Sequence, residues 1–128
     1  MKLSNIFDIL FAICSHDIEQ VINIFPYVIK CYEKGQFIIL NKGNSYQVLF
    51  YCFTTEKEAM QLAEDDSLLY KCFSDCDNKG EVLVVIFAGG KIDNDGIAIF
   101  KRLLDKYDVK GILFHKRKTK KTYYVKRR

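Results

Sequence analysis

Residues 81–88 read EVLVVIFA, an almost unbroken run of β-branched and apolar side chains that stops at Gly89 and Gly90. A strand with one face in water alternates polar and apolar residues, so a run without alternation fits a strand covered on both faces. That one segment obliges the rest of the chain to supply a layer on each side of a sheet. The 128 residues, 49% apolar and 14% aromatic, suffice for a single domain, 1–128, with its own core, and exclude global disorder. No stretch approaches the roughly 18 uncharged apolar residues of a membrane span. Ile9–Cys14 follows Asp8 and is too short for a secretory leader. The expectation is a soluble protein, cytoplasmic in the producing cell, with no membrane partner.

The segments around the run supply the layers. Ser4 is placed to cap a short helix carrying Ile6, Phe7, Ile9, Leu10 and Ile13, and Ser15 to cap a second. There Ile18, Val21, Ile22, Phe25, Val28, Ile29 and Tyr32 recur at three- and four-residue steps. Pro26 falls inside this pattern and predicts a kink or break near Ile24–Phe25. QFIIL and YQVLFYCF, separated by NKGNS, read as a β-hairpin. A helix follows with Thr54 or Thr55 as its cap and Ala59, Met60, Leu62 and Ala63 as the buried stripe. SLLYKCFS fits a helical turn or an extended segment equally well, and DCDNKG is a turn.

After the glycines a helix carries Ile97, Ile99 or Phe100, Leu103, Leu104 and Tyr107 and ends at DVKG. GILFHKR and KTYYVKR then form a last hairpin across KTK, within about 110–128. Two hairpins mixed with one β-α-β crossover predict an α+β fold: a mixed, mainly antiparallel sheet flanked by helices.

Five cysteines, Cys14, Cys31, Cys52, Cys72 and Cys76, form an odd, scattered set, four of them among apolar neighbours. Free thiols in a core fit this better than a disulfide framework. Cys72 and Cys76 have only His16 and His115 to complete a metal site and lack paired zinc-ligand spacing, so no metal is expected.

GGKIDNDG, residues 89–96, joins a strand to a helix N-terminus, where proteins commonly hold phosphate. Gly89, Gly90 and Lys91 are the candidate cofactor-binding residues. The spacing is neither G-x-x-x-x-G-K-[ST] nor G-x-G-x-x-G. Asp93 and Asp95 cap the helix and repel an incoming pyrophosphate, so a capped turn is expected and no cofactor.

From about Ile18 to Arg128 the chain resembles the GNAT N-acetyltransferase superfamily, in a shortened form of the kind encoded by bacteriophages. The likeness lies in the two helices leading into FIILNKGNSYQVLFYCF, in DNKG before EVLVVIFAGG, and in the helix ending LLDKYDVKGILFHKRKTKKTYYVKRR. The resemblance implies the order α-α-β-β-α-β-α-β-β. It also implies a central strand that delivers the pyrophosphate of acetyl-CoA to a loop written Q/R-x-x-G-x-G/A. The matching GGKIDNDG has no Gln or Arg leader and no G-x-G. Acetyl transfer would ask for a general base, for which His115 is the candidate, and a tyrosine acid from Tyr107, Tyr123 or Tyr124. The tyrosines equally suit cross-strand packing.

Charge carries the firmest functional signal. Residues 1–105 hold ten Lys/Arg against fifteen Asp/Glu, a net of −5, whereas residues 106–128 hold ten Lys/Arg against Asp108 alone, a net of +9. Such crowding is unfavourable without a polyanion, which attracts it and releases counterions. Lys116, Arg117, Lys118, Lys120, Lys121, Lys126, Arg127 and Arg128 are the candidate contacts. Alternating faces are expected to group His115 and Arg117 with Lys121 and Tyr123, and Lys116 and Lys118 with Thr122 and Tyr124. No sequence-reading nucleic-acid motif is present.

The expected function is a non-catalytic GNAT-like module associated with a virion or its genome. Its basic hairpin contacts nucleic acid without sequence specificity, an acidic protein surface, or another copy of itself. A small acetyl-CoA-dependent N-acetyltransferase is the alternative. A host-directed regulator or inhibitor that binds nucleic acid or protein is a third.

Overall fold

The structure is a computed structural model and describes residues 3–128. Five strands, β1 (Phe37–Asn41), β2 (Tyr46–Thr54), β3 (Val82–Gly90), β4 (Gly111–Lys116) and β5 (Lys121–Lys126), form one sheet in chain order. All neighbours are antiparallel except β3 and β4, which are parallel and joined by the crossover helix α5 (Asn94–Lys106). Four helices, α1 (Leu3–Ile13), α2 (Ile18–Glu33), α3 (Glu56–Glu64) and α4 (Leu69–Asp75), belong to the opposite layer. No helix among the described residues is long and apolar enough to cross a membrane.

β3 is buried on both faces over Val82–Val84, as its composition requires, and becomes partly exposed toward Ala88 and Gly90. Val82, Val84 and Ile86 join Ile6, Leu10, Val21, Val28, Phe50 and Leu62 in the larger core. Leu83 turns the other way, to Leu49, Tyr51, Phe53, Leu104 and Val109, with Phe100 and Leu103 of α5 against them. Each fully buried aliphatic or aromatic side chain stabilises the fold by about 1.5–3 kcal/mol relative to leaving it in water.

Two irregularities shape the sheet. Phe50 lies opposite Phe87 but Tyr51 lies opposite Val85, so Ile86 is an extra residue in β3, and such a bulge bends its strand. β3 pairs with β4 only through Val82–Gly111, Leu83–Ile112 and Val84–Leu113. Beyond that point β3 runs on to Gly90 and β4 to Lys116 without pairing, and the sheet opens.

Several local expectations change. α1 already begins at Leu3, so Ser4 is inside it and the cap position falls outside the described residues. Ser15 and His16 both adopt positive φ, 53° and 63°, and turn the chain. The α2 cap therefore moves to Asp17, whose carboxylate accepts the Gln20 N–H at 3.2 Å. α2 runs through Pro26 without a break. The ring is on the exposed side, where water can satisfy the carbonyl that loses its donor. Thr55, not Thr54, caps α3, and Met60 is exposed because Ala59 and Leu62 occupy the inward face. Ile97 and Tyr107 of the α5 stripe are likewise largely exposed. SLLYKCFS is helical, a 3-10 turn (Asp66–Leu68) leading into α4.

The last hairpin pairs Lys116 with Lys121, His115 with Thr122, Phe114 with Tyr123 and Leu113 with Tyr124. His115 therefore shares a face with Thr122 and Tyr124, while Lys116, Lys121, Phe114 and Tyr123 share the other. This reverses the expected grouping, because the turn sets odd positions against even ones.

The chain end holds α5 in place. Arg127 donates from Nη1 to the carbonyls of Leu104 (3.1 Å) and Val109 (2.9 Å), and from Nη2 to Asp105 (2.6 Å). Arg127→Ala removes a charged donor from the Leu104 carbonyl near the end of α5 and from the Val109 carbonyl just beyond it. It is expected to lower stability by about 1–3 kcal/mol in urea unfolding, whereas Arg128→Ala, which has no such partner among the described residues, leaves the midpoint unchanged.

Candidate functional site: an open cleft and a cationic hairpin tip

The divergence of β3 from β4 leaves a cleft of about 1070 Å³. Its walls are mostly apolar, with Ile38, Leu40, Phe87, Phe100 and Phe114 among them, and Lys116, Arg117 and Lys120 stand along it. None of these apolar residues is legible as a site residue, since each occupies a position that reads as core. The cleft exists only because two strands stop pairing.

GGKIDNDG is not a free cradle. Gly90 and Gly89 are the last residues of β3, opposite Gln47 and Val48. Gly90 has φ +95°, and a Cβ there would strike the Tyr46 carbonyl; a Cβ on Gly89 would lie 2.6 Å from Ile13 Cγ2. Close packing thus accounts for both glycines. At the start of α5 the Gly96 N–H donates to Asp93 Oδ1 (3.0 Å) and the Asp93 N–H to Gln47 Oε1 (3.3 Å). Lys42, from the β1–β2 loop, lies 2.6 Å from Asp95 and 3.7 Å from Asp93. Two amides that an anion would need already have acceptors. Lys91 is exposed and forms no ion pair among the described residues.

These contacts show in the titration of the cap. The Gly96 N–H, then the Gln47 side chain and Lys42, hold the Asp93 carboxyl below its usual range. The Lys42 ammonium is pushed up, chiefly by its bond to Asp95.

His115 belongs to a short relay. Thr122 Oγ1 donates to Asp66 Oδ2 at 2.8 Å, and His115 Nδ1 lies 3.0 Å from the same hydroxyl. With the hydroxyl proton committed to Asp66, Nδ1 is the donor of the neutral ring and Nε2 carries the lone pair. His115 lines the cleft. The tyrosines are engaged elsewhere. Tyr107 packs on Phe53 with ring centroids 5.2 Å apart, and Tyr123 stacks on Phe114 at 5.6 Å. Tyr124 donates to Glu56 at 2.5 Å, and its pKa is pushed up to about 12 by burial and by that carboxylate.

The eight candidate cations separate into two groups. Lys116, Arg117, Lys118, Lys120 and Lys121 gather at the hairpin turn, all exposed. Thr119 braces the turn by donating to the Lys116 carbonyl (3.3 Å) and accepting from Tyr123 (3.1 Å). Of the five only Arg117 has an ion pair among the described residues, 3.6 Å from Asp17. Lys126, Arg127 and Arg128 lie at the opposite end of β5, where Lys126 faces Glu56 at 4.0 Å and Arg127 is bound to Asp105.

A carboxyl with a depressed folded pKa stabilises above its unfolded pKa and loses that contribution as pH falls through the folded value. Asp93→Ala is therefore expected to lower Tm at pH 7, with the gap to wild type closing as the pH drops below the ordinary aspartate range. An unchanged gap at low pH would show that the cap acts without its charge. Comparison with protein-family models, with curated proteins and with solved structures finds no match.

Proposed function

We propose that this chain is a non-catalytic binding module that captures a polyanion on the tip of its β4–β5 hairpin. The carrying observation is the cluster of exposed Lys116, Lys118, Lys120 and Lys121 with no counter-ion among the described residues. Salt bridges engage Lys42, Lys110, Lys126 and Arg127; other cations without an ion pair among the described residues, Lys91 among them, are scattered, whereas at the tip four stand within six residues. Phosphates satisfy this charge by Coulomb attraction and counterion release. Phe114 and Tyr123, on the face shared by Lys116 and Lys121, offer half-buried rings on which an unpaired base can stack. Single-stranded nucleic acid fits this better than an acidic protein, and no sequence preference is expected.

The element order, with α4 in place of the ambiguous segment, is compatible with a GNAT-like fold; that it is of the shortened phage type and acts within a virion or on its packaged genome is part of the same proposal. The occupied amides at the start of α5 favour binding over catalysis in that fold. One observation favours a second reading, a small acetyl-CoA-dependent N-acetyltransferase: the cleft is large enough for an acyl carrier, and the His115 imidazole, oriented by Thr122, belongs to its wall.

Fluorescence anisotropy with a labelled single-stranded oligonucleotide tests the first reading. Binding is expected to weaken with salt at a log–log slope of roughly −3 if four lysines each meet a phosphate. Lys118→Glu, Lys120→Glu and Lys121→Glu together should abolish binding while circular dichroism stays unchanged. Survival of binding in that variant overturns the proposal, and loss of an acidic-protein partner alone would redirect it.

Calorimetric titration with acetyl-CoA separates the second reading, with free polyphosphate as the control for the basic tip. No saturable binding at moderate salt is expected. Saturable micromolar binding there would instead make the chain a cofactor-dependent enzyme.

A further inference from the structure

The two edges of the sheet differ in a way that the polyanion site does not use. β5 carries Lys121 and Lys126, the kind of charge that keeps an edge strand from pairing with another chain. β1, at the opposite edge, reads FIILN and has no charge at all. Its hydrogen-bonding direction follows from its flanks. The Gln36 carbonyl accepts from Tyr51 N (3.2 Å) and Lys42 N donates to the Ser45 carbonyl (2.9 Å), so the even-numbered residues face β2. Alternation along an antiparallel strand then turns the N–H and C=O groups of Phe37, Ile39 and Asn41 to the open edge.

We infer that β1 is a dimerisation edge, pairing antiparallel with β1 of a second copy about a two-fold axis at Ile39. Residues 37, 39 and 41 offer alternating donors and acceptors, and in this arrangement Phe37 meets the partner's Asn41 while Ile39 meets its own equivalent. A two-fold contact sets like residues near one another, and an uncharged strand is what makes that tolerable. The same strand offers no cation to an acidic partner. Lys42, the nearest, is held by Asp93 and Asp95.

Antiparallel pairing through β5 would set the two cationic tips against the Lys126 ends of the opposite copies, cation against cation. Pairing through β1 leaves the tips at the far ends of a ten-stranded sheet, roughly 40 Å apart at ~4.8 Å per strand. That is several Debye lengths at physiological salt. The dimer presents two polyanion sites facing outward, which raises avidity for a long strand without any new contact.

Light scattering coupled to size exclusion, over a range from about 1 to 300 μM, reads the outcome. The full chain should approach twice its 15.0 kDa mass as concentration rises, with little dependence on salt. Ile39→Lys sets two ammonium groups at the axis and should give a monomer. Asn41→Pro deletes an outward N–H without touching a bond to β2 and should weaken the dimer at least tenfold. Because Asn41 is exposed at the strand end, this second variant keeps the test valid if the first fails to fold. A wild-type chain that is monomeric throughout overturns the inference, as does a dimer that survives both variants. A dimer lost in salt, or in Lys118→Glu with Lys120→Glu and Lys121→Glu, overturns it too and assigns the contact to tip-to-acid docking.

Discussion

The three-residue parallel pairing of β3 with β4 is the contact on which the rest of the molecule depends. It fixes α5 as the crossover between them, and α5 in turn covers the sheet face formed by Leu49, Tyr51, Phe53 and Leu83. It also ends early. Because Val84–Leu113 is the last pair, the upper halves of both strands separate, and the apolar residues that would have packed across them line a cleft. The bulge at Ile86 lies just past that point, and a bulge bends its strand and increases the local twist.

The same divergence sets the hairpin tip apart. β4 and β5 continue past the last β3 contact as a two-stranded ribbon, held by Phe114 on Tyr123 and by the Thr119 brace. At its base, Arg127 on the carbonyls of Leu104 and Val109, Lys126 near Glu56 and Tyr124 on Glu56 tie the ribbon to the body. Lys126 and Arg127 near the base thus have structural work, and Lys116, Lys118, Lys120 and Lys121 at the tip have no ion pair among the described residues. Two groups of residues that look alike in a basic sequence acquire different roles from where the ribbon leaves the sheet.

The glycine turn illustrates the opposite case, in which one sequence pattern admitted two structures. A strand, two glycines and a helix start describe both a phosphate cradle and a closed cap. Asp93 and Asp95 pointed to the cap, and their partners complete it: Gly96 and Gln47 engage the amides and carboxylate from within, and Lys42 arrives from a loop some fifty residues earlier. Lys42 carried no local signal, because its role depends on the β1–β2 hairpin folding over α5.

Local chemistry determined most of the elements. The unalternating EVLVVIFA run specified a strand covered twice, the three- and four-residue spacing specified α2 and α5, and Thr54–Thr55 and Asp93 marked the caps of α3 and α5, because each depends on residues within a turn or two. Where the outcome depended on non-local geometry, sequence periodicity was insufficient. Pro26 stayed within an unbroken helix because it faces outward, and the tip's face grouping reversed with the register of one four-residue turn. The cleft and the separation of free from engaged cations belonged wholly to tertiary structure. Both follow from where β3 and β4 part, and that point is set by packing on two faces at once.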